Sequence, residues 1–416
     1  MKLLIIGAGT AGLCAARHAI SQNIKPIVVE QGAEIGGTWV YRDETGTDEF
    51  GYDIHSSMYY GLRTNLPKEI MGYPDFPIEE CDVSYVTSET IKQFLNDYAN
   101  KFNLLKYIKF LHSVIRVIPF KAGWQVLISS LTDKSVHKYF FDNIMICTGH
   151  YHTPSYPIYV GAELFTGLQL HSHDFRRPEM FKGQKVLIVG AGPSGMDLCH
   201  KISKHAESVT LSHHIVDQPK TKFLGNVNQK PDIKKLDKNG AYFVDDSYDN
   251  FNIIFYCTGY KYSFPFLSID CGIYVDENYV NNLYKHCINI QYPTMSFIGI
   301  PFYVCASQMM DIQSRFVLKY MTGEKLLPTV TDMLVDMEKE MQSRWKKGYK
   351  KRQAHLLGYQ QMEYFTDLAE TAEVTNIKEV MAKLHNESSE RFLDDLLHFR
   401  EDKFKLIDDF TFIKYN

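Results

Sequence analysis

Two stretches of the sequence share one pattern of hydrophobic and polar positions. Each has four consecutive apolar residues, then G-x-G-x-x-G, then small and apolar residues at helical spacing. The first is KLLIIGAGTAGLCAAR (residues 2–17), and the second is KVLIVGAGPSGMDLCH (residues 185–200). An apolar run that ends in glycines predicts a buried strand, and the spacing after it predicts a helix. The pattern therefore predicts a strand–turn–helix unit that occurs twice.

The glycines of the first unit stand in the order that dinucleotide binding requires. Gly7 permits a tight turn, Gly9 lets the backbone approach a ligand closely, and Gly12 lets the helix pack against the strand. The helix, predicted from Thr10 to Ser21, directs its N-terminal N–H groups at a pyrophosphate. We therefore interpret the first unit as a dinucleotide site.

The residues after this helix indicate which dinucleotide is bound. The apolar stretch KPIVVEQ predicts a second strand that ends in Glu30, 18 residues after Gly12. A carboxylate there accepts hydrogen bonds from ribose hydroxyls and repels a 2′-phosphate, which excludes NADP and leaves NAD or FAD. The following EIGGTW (34–39) lets backbone pass over a larger cofactor and resembles the glycine pair of flavoproteins that bind two dinucleotides. The first site is therefore predicted to bind FAD.

The second unit carries the same three glycines, at Gly190, Gly192 and Gly195. Its second strand, SVTLS, has no carboxylate at the discriminating position. Instead, it leads into side chains that can bind a phosphate: Ser212, His213, His214, Lys220 and Lys222. These groups favour NADPH over NADH, although a histidine is a weaker phosphate partner than an arginine. A flavin in one loop and a hydride donor in the other explain why the chain has two.

Two further strands end in Cys-Thr-Gly followed by an aromatic or imidazole ring and prolines. They are IMICTGHYHTPSYP (144–157) and IIFYCTGYKYSFPFL (253–267). Each indicates a chain crossing between nucleotide domains. The predicted fold class is α/β, with two Rossmann-like dinucleotide-binding domains and the NADPH domain inserted in the FAD domain. The predicted limits are 1–157 for the first part of the FAD domain, 158–290 for the NADPH domain, 291–330 for the return, and 331–416 for a helical extension.

The C-terminal extension has two amphipathic stretches. TVTDMLVDMEKEMQSRWKK has a threonine cap and apolar positions at Met333, Leu334, Met337 and Met341, which favour a core-facing helix. AKLHNESSERFLDDLLHFRED predicts a further helix after a serine-rich cap. We expect the extension to pack on the FAD domain and to border the substrate entrance.

The bulk properties exclude several classes of protein. A formal charge of −4 gives no reason to expect a nucleic-acid partner, and no apolar run approaches the length of a membrane span. We expect a soluble protein, cytoplasmic as the sequence stands or secreted if a signal peptide has been removed. The sequence leaves open whether the chain forms a homo-oligomer, as a dimer or tetramer.

The eight cysteines do not follow a disulfide or metal-binding pattern. No two have C-x-x-C spacing, and Cys14, Cys147, Cys199 and Cys257 lie in runs that predict buried elements. Small buried thiols are the simpler interpretation. We predict no metal site, and a bridge among the later cysteines stays open.

A further motif lies just before the second glycine loop. Phe165, Gly167, His171 and Phe175 match F-x-G-x-x-x-H-x-x-x-(F/Y), the signature of flavin-containing monooxygenases. The stretches HSSMYYGLRTNLPKEIMGYPDFP and MMDIQSRFVLKYMTGE resemble other parts of that family, and the resemblance covers roughly residues 1–330. Because the chain is short, compact and rich in tyrosine, it is most similar to the insect branch that includes pyrrolizidine-alkaloid N-oxygenases.

The resemblance implies a set of site residues. It implies that FAD is held by Gly7, Gly9, Gly12, Glu30, Gly37, Trp39, Thr64 and Gln313, with Gln313 near the isoalloxazine end. It implies that NADPH is held by Gly190, Gly192, Gly195, Ser212 and His214. Asn65, in RTNLPKE, matches the active-site asparagine of the family. One departure is His214, which stands where the family usually has an arginine and puts the strength of NADPH discrimination in doubt.

The family chemistry implies a reaction. NADPH reduces FAD, and the reduced flavin takes up O2 to form a C4a-hydroperoxide that oxygenates a tertiary amine or a thioether. Asn65 suits this chemistry because its neutral amide offers hydrogen bonds without an acidic proton. The expected substrate is a small amine or sulfide: either an alkaloid converted to its N-oxide, or a broad range of foreign amines and sulfides.

Three alternatives share part of the pattern. Baeyer–Villiger monooxygenases have the same cofactors, but their signature ends in Trp followed by Pro or Asp, whereas Phe175 is followed by Arg176. A pyridine-nucleotide disulfide reductase requires a close pair of cysteines, which the sequence lacks. A non-catalytic sensor that binds both nucleotides does not require Asn65, which is present.

Overall fold

The computed structural model describes residues 1–215 and 220–415. Its first sheet has seven strands and contains the first glycine unit. In spatial order, the strands are Leu283–Tyr284, Ile288–Asn289, Met295–Phe297, Asn143–Ile146, Leu3–Ile6, Ile27–Val29 and Ile108–Lys109. The five from Met295–Phe297 to Ile108–Lys109 are parallel, and the first two form an antiparallel edge.

Four-residue buried strands form the centre of this sheet because both of its faces are covered. All residues of Leu3–Ile6 and Asn143–Ile146 are buried, as expected for parallel strands packed on two sides. Ile5 pairs with Val28 on one side and with Met145 on the other. The carboxyl ends of these strands meet at one edge, where the first glycine loop begins.

The second sheet has five parallel strands and contains the second glycine unit. In spatial order, they are Val227–Lys230, Ser208–Ser212, Lys185–Val189, Ile253–Tyr256 and Leu168–His171. All five fall, along the chain, between strands Asn143–Ile146 and Met295–Phe297 of the first sheet. The fold-class prediction of one nucleotide-binding domain inserted in another is therefore confirmed.

The two chain crossings predicted from the Cys-Thr-Gly runs lie side by side. Thr153–Pro154 and Tyr260–Lys261 form a short antiparallel pair. Leu283–Tyr284 and Ile288–Asn289 follow the second crossing and pair in the first sheet, although the predicted limit at 290 assigned them to the inserted domain. These short strands carry no glycine motif, so their sequence did not indicate which sheet they join.

Smaller antiparallel sheets complete the fold. Two have three strands: His112–Phe120 with Gly123–Ser130 and Val136–Phe141, and Ile233–Leu236 with Gly240–Phe243 and Tyr248–Asn250. Two have two strands: Val275–Asp276 with Tyr279–Val280, and Lys403–Leu406 with Phe412–Tyr415. The last of these is a hairpin in the extension that we predicted to be helical.

The α-helices of the described residues are α1 (Thr10–Ser21), α2 (Ser88–Lys101), α3 (Pro193–Ser203), α4 (Ala306–Met321), α5 (Val330–Lys346), α6 (Gln361–Ala372) and α7 (Glu379–Asp394). Helix α1 has the predicted bounds. None of these helices is long and apolar enough to cross a bilayer.

In the extension, α7 begins at a different residue from the one predicted. Thr329 caps α5 as expected, accepting a hydrogen bond from the N–H of Asp332. The serine-rich segment does not cap α7 but lies inside it, where the hydroxyls of Ser388 and Ser389 both donate to the carbonyl of His385. Serines can bond back to the preceding turn in this way, so a serine cluster by itself does not mark a helix start.

The eight cysteines all lie in the described part of the chain, where every thiol is free and all except that of Cys81 are buried. Burial raises the pKa of Cys199 to about 12 and that of Cys271, for the same leading reason, to about 11. These thiols therefore stay protonated and act as small apolar core groups.

Candidate active site

The two glycine loops make the same turn, and at both the backbone leaves no room for a side chain. Gly7 has φ +103° and Gly190 has φ +98°. A Cβ on Gly12 would lie 1.9 Å from the Gly7 carbonyl oxygen, and a Cβ on Gly195 would lie 1.9 Å from that of Gly190. Each helix therefore starts in direct contact with the carbonyl of the loop before it, which only glycine allows.

The first turns of α1 and α3 keep their N–H groups available. Each helix begins after an extended glycine, Gly9 or Gly192, that supplies no side-chain cap. By contrast, Thr87 and Thr329 cap α2 and α5 with their hydroxyls. Uncapped first-turn N–H groups bind phosphate through hydrogen bonds and the helix dipole. Both loops therefore fit a dinucleotide pyrophosphate.

The second glycine pair lies directly against the first loop. The N–H of Gly36 donates to the carbonyl of Ala8 over 3.1 Å. A Cβ on Gly37 would lie 3.1 Å from the Cα of Gly9. The two turns thus form one backbone surface beside the start of α1, as expected where backbone lies close to a bound cofactor.

Glu30 is fixed at the carboxyl end of strand Ile27–Val29. Its Oε2 accepts from the N–H of Ala8 and its Oε1 from the N–H of Gly32, each over 2.7 Å. Each carboxylate oxygen has a second acceptor site, so Glu30 can also accept from a ribose hydroxyl. It lines a cleft with Gly32, Ala33, Glu34, Gly37, Val40, Arg42, Asp48, Phe50, Asp53, Ile54, His55, Ser56 and Leu111. This cleft fits the adenosine half of FAD.

Thr64 and Asn65 offer polar groups in the segment before the short 3₁₀-helix Lys68–Ile70. Thr64 is 2% exposed, and its N–H donates to the carbonyl of Val86. Within residues 1–215 and 220–415, no hydrogen-bond partner lies near its buried hydroxyl. Asn65, which follows it, is exposed, and its Oδ1 accepts from Arg400 over 2.6 Å. A buried hydroxyl without a protein partner beside an exposed amide fits contact with a bound cofactor.

The side chain of Gln313 forms hydrogen bonds with other parts of the protein. It is completely buried, its Oε1 accepts from the N–H of Gly299, and its Nε2 donates to the hydroxyl of Tyr364. Gly299 has φ +95°, and a Cβ there would lie 4.0 Å from the side chain of Ala11 on α1. Gln313 thus supports a turn that lies against the first helix, and its proximity to the flavin ring stays a prediction. Trp39 ends the short 3₁₀-helix Gly37–Trp39 and is partly buried.

The phosphate-binding residues predicted after the second unit are not equally available. Ser212 is 2% exposed, and its hydroxyl donates to the carbonyl of Pro231. His213 is also buried. His214 is exposed, and its Nδ1 lies 3.3 Å from Oδ1 of Asp232. His214 is therefore the better placed of the three to meet a 2′-phosphate, although the nearby carboxylate weakens the positive potential there.

The family motif before the second loop lies at the junction of the domains. A Cβ on Gly167 would lie 2.3 Å from the carbonyl oxygen of Asn252. His171 is fully buried between the rings of Tyr156 and Tyr260. Burial lowers the pKa of His171 to about 4, so its imidazole is neutral at physiological pH. These contacts indicate packing at the junction rather than proton transfer.

The end of the motif attaches the inserted domain to the FAD domain. Phe175 is 1% exposed and packs edge-on against Tyr59, with ring centroids 5.3 Å apart. The guanidinium of Arg176, which follows it, donates to the carbonyls of Ser56 and Glu44 over 3.1 and 3.2 Å. Arg176 thus binds the backbone of a loop that includes part of the Glu30 cleft. In the sequence, Arg176 only distinguishes the chain from Baeyer–Villiger monooxygenases.

Three other residues of the site were not predicted. Asp197 of α3 is buried and accepts from the hydroxyl of Tyr59 and from the guanidinium of Arg400. Burial and the nearby Asp197 carboxylate raise the pKa of Tyr59 well above its ordinary value, so the phenol stays a donor. An acidic residue among the apolar positions of α3 was the available signal for Asp197. The tail segment around Arg400 offered no comparable signal.

One cluster outside this site has the residue types of a metal centre. Cys14, His18 and Asp311 are buried with their ligand atoms within 4.8 Å of one another. However, Asp311 is already paired with His18 over 2.6 Å and with Arg315 over 2.7 Å. The His18–Asp311 pair joins α1 to α4, and the Asp311–Arg315 pair lies within α4, which accounts for the cluster as a structural contact.

Known proteins are similar to this chain over most of its length. The model of the flavin-binding monooxygenase-like family matches residues 1–217 and 213–387. Senecionine N-oxygenase of Tyria jacobaeae is 33% identical, covering 100% of this chain and 92% of that protein. Flavin-containing monooxygenase FMO GS-OX4 of Arabidopsis thaliana is 34% identical, covering 88% of this chain and 83% of that protein.

Solved structures agree with this likeness. The S-allyl-L-cysteine S-oxygenase of Allium sativum superposes with a TM-score of 0.90 at 30% identity, covering 96% of this chain and 94% of that one. Tmm from Pelagibacter sp. strain HTCC7211 has a TM-score of 0.86 at 26% identity, covering 96% and 93%.

The fold and the two loops define a flavoprotein with two dinucleotide-binding domains. Within that class, the chain belongs to the flavin-binding monooxygenase-like family. It is a flavin-dependent monooxygenase, and its cofactors are FAD and NADPH, as the sequence predicts.

The environment of Gly192 allows a direct test of the second loop. A Cβ at Gly192 would meet no protein atom within 4 Å, so Gly192→Val should fold normally while its side chain blocks the pyrophosphate. We predict that the variant retains FAD but that NADPH reduces the flavin at least about tenfold more slowly, as expected for loss of one or more charge-assisted contacts. Stopped-flow absorbance under anaerobic conditions measures this rate.

Gly225→Val is the matched control. Its Cβ would also meet no protein atom within 4 Å, and it precedes strand Val227–Lys230 at the amino end, away from the glycine loop. The control should be reduced at the wild-type rate. Wild-type reduction of Gly192→Val would mean that this loop does not bind NADPH.

Proposed function

We propose that this enzyme uses NADPH and O2 to oxygenate the nucleophilic nitrogen of a tertiary amine, such as a pyrrolizidine alkaloid, to its N-oxide. The proposal is supported by full-length similarity to a senecionine N-oxygenase. When bound, FAD supplies the chemistry that activates O2, and the protein supplies binding and orientation. The substrate brings its own lone pair, so the protein is not required to provide a nucleophile.

The observation that carries the proposal is the position of Asn65. Tyr59, six residues before it, contacts Asp197 of α3, the helix that starts at the NADPH loop. Asn65 is exposed beside the buried hydroxyl of Thr64, which has no hydrogen-bond partner among the residues that the structure describes. A neutral amide is thus placed in the segment of the FAD domain that touches the NADPH domain. Such an amide donates hydrogen bonds without an acidic proton that would promote release of hydrogen peroxide.

A thioether is the second candidate substrate class. The neighbour with a TM-score of 0.90 is an S-oxygenase. Sulfur and an unprotonated amine share the property that the reaction requires, which is an accessible lone pair. Oxygenation of sulfur therefore uses the same site residues, and the shape of the substrate entrance decides between the two.

The substrate class is tested by following the oxygen atom. We predict that the purified enzyme, given NADPH, ¹⁸O2 and senecionine, forms the N-oxide with one labelled oxygen, detected by mass spectrometry. S-allyl-L-cysteine tests the thioether class in a parallel reaction. NADPH consumption that yields only hydrogen peroxide with both compounds would contradict the proposal.

The role of Asn65 is tested by removing its amide. We predict that Asn65→Ala keeps its FAD and is reduced by NADPH at close to the wild-type rate, but releases about tenfold more hydrogen peroxide per oxygenated product, as expected for loss of one hydrogen bond in a water-poor site. Peroxide and product are measured in the same reaction.

Asn100→Ala, at an exposed asparagine near the C-terminal end of α2, is the control and should leave the ratio of peroxide to product unchanged. A wild-type ratio in Asn65→Ala would remove Asn65 from the proposed role.

A further inference from the structure

The guanidinium of Arg400 lies where three parts of the chain meet. From the C-terminal extension, it donates to Oδ1 of Asn65 over 2.6 Å and to Oδ1 of Asp197 over 2.8 Å. It also donates to the backbone carbonyls of Thr64, over 3.1 Å, and Arg63, over 3.4 Å. The side chain of Arg400 is only 15% exposed. One residue thus contacts the proposed active-site asparagine and the helix of the NADPH loop.

These contacts determine which way the amide of Asn65 faces. A guanidinium has donors only, so the amide atom next to Arg400 must be the oxygen. The amide nitrogen of Asn65 is therefore turned away from Arg400. Because Arg400 holds its oxygen, Asn65 offers its N–H donors to a ligand. Rotation of the amide by half a turn would place the NH2 group of Asn65 against the guanidinium of Arg400, and both groups are donors.

The other side of Arg400 is held by a buried carboxylate. The carboxylate of Asp197 is 4% exposed and also accepts from the hydroxyl of Tyr59. Because α3 begins directly after Gly192, a displacement of this helix moves Asp197, which is the partner of Arg400. The ion pair therefore connects the second glycine loop to the amide of Asn65.

The backbone around Arg400 is fixed as well. Arg63 donates to the carbonyl of Arg400 over 3.2 Å and to the carbonyl of Tyr85 over 2.9 Å. Phe399, which precedes Arg400, is fully buried and packs edge-on against the rings of Tyr85 and Phe392. The hydrogen bond from Arg63 and the packing of Phe399 thus fix the backbone that carries Arg400. This limits the positions that the side chain of Arg400 can take.

We propose that Arg400 is a positioning residue that holds the amide of Asn65 with its N–H groups toward the cofactor and links this orientation to the NADPH-binding helix. The inference rests on the proposed function and adds a part of the site that lies in the C-terminal extension. Arg400 acts through Asn65, so its loss should affect the use of activated oxygen more than the delivery of hydride.

The first test compares Arg400→Met with Arg400→Lys. We predict that Arg400→Met releases about tenfold more hydrogen peroxide per oxygenated product, which corresponds to losing one charge-assisted hydrogen bond. Flavin content and the rate of flavin reduction by NADPH should change by less than about twofold. Arg400→Lys keeps a cationic donor, so it should release less hydrogen peroxide per oxygenated product than Arg400→Met. A purely structural role of Arg400 predicts instead that the two variants release equal amounts of peroxide when they are equally well folded.

Arg400→Met leaves Asp197 buried without its cation, which destabilises a protein. The double variant Asp197→Asn with Arg400→Met removes both charges and should retain FAD and a wild-type melting temperature to within a few degrees. It should still release excess peroxide, because Asn65 lacks its anchor. Arg391→Met is the control, since Arg391 pairs with Asp402 over 2.7 Å in the same extension and does not contact Asn65.

Asn65→Asp tests the direction of the amide. A carboxylate still accepts from Arg400 but has no N–H to offer, so this variant should be as uncoupled as Asn65→Ala. If the wild-type enzyme oxygenates its substrate while the folded double variant keeps the wild-type ratio of peroxide to product, the role of Arg400 is refuted and the proposed function stands. A wild-type enzyme that oxygenates no amine or sulfide refutes the proposed function itself.

Discussion

At the start of α1, and again at the start of α3, a glycine lies directly against a carbonyl oxygen of the preceding loop. The other features of the two nucleotide sites follow from this contact. At both places a Cβ would lie 1.9 Å from the oxygen, so the helix begins against the loop with its first-turn N–H groups uncapped. These groups fit phosphate. Two such loops on two sheets give one chain both a flavin site and a reductant site.

Two loops serve one reaction only if the domains that carry them are held together. At the junction, the chain uses side chains that bind backbone carbonyls or buried carboxylates. Arg176 holds the loop around Ser56, and Arg400 holds the segment of Asn65. Arginine suits this role because its fork of donors reaches several acceptors at once. The C-terminal extension therefore contacts both Asn65 and the helix of the second glycine loop.

The sequence predicted the features that are local. Short patterns predicted the two glycine units, the bounds of α1, the inserted domain and the cofactors. In these patterns, the physical role of each residue follows from its type and its position. The sequence did not predict the strands at Leu283–Tyr284 and Ile288–Asn289, nor the hairpin in the extension, because strands of only two to four residues depend on tertiary pairing. Arg400 could not be predicted for the same reason: its partners lie 335 and 203 positions away, and no local pattern connects them.

The central claim, that one loop holds a flavin which a nucleotide in the other loop reduces, is tested most directly by anaerobic titration of the purified protein with NADPH. We expect one FAD per chain, seen as a yellow protein, and loss of its absorbance near the addition of one equivalent of NADPH. A protein that takes up no flavin, or a bound flavin that NADPH does not bleach, would contradict the account.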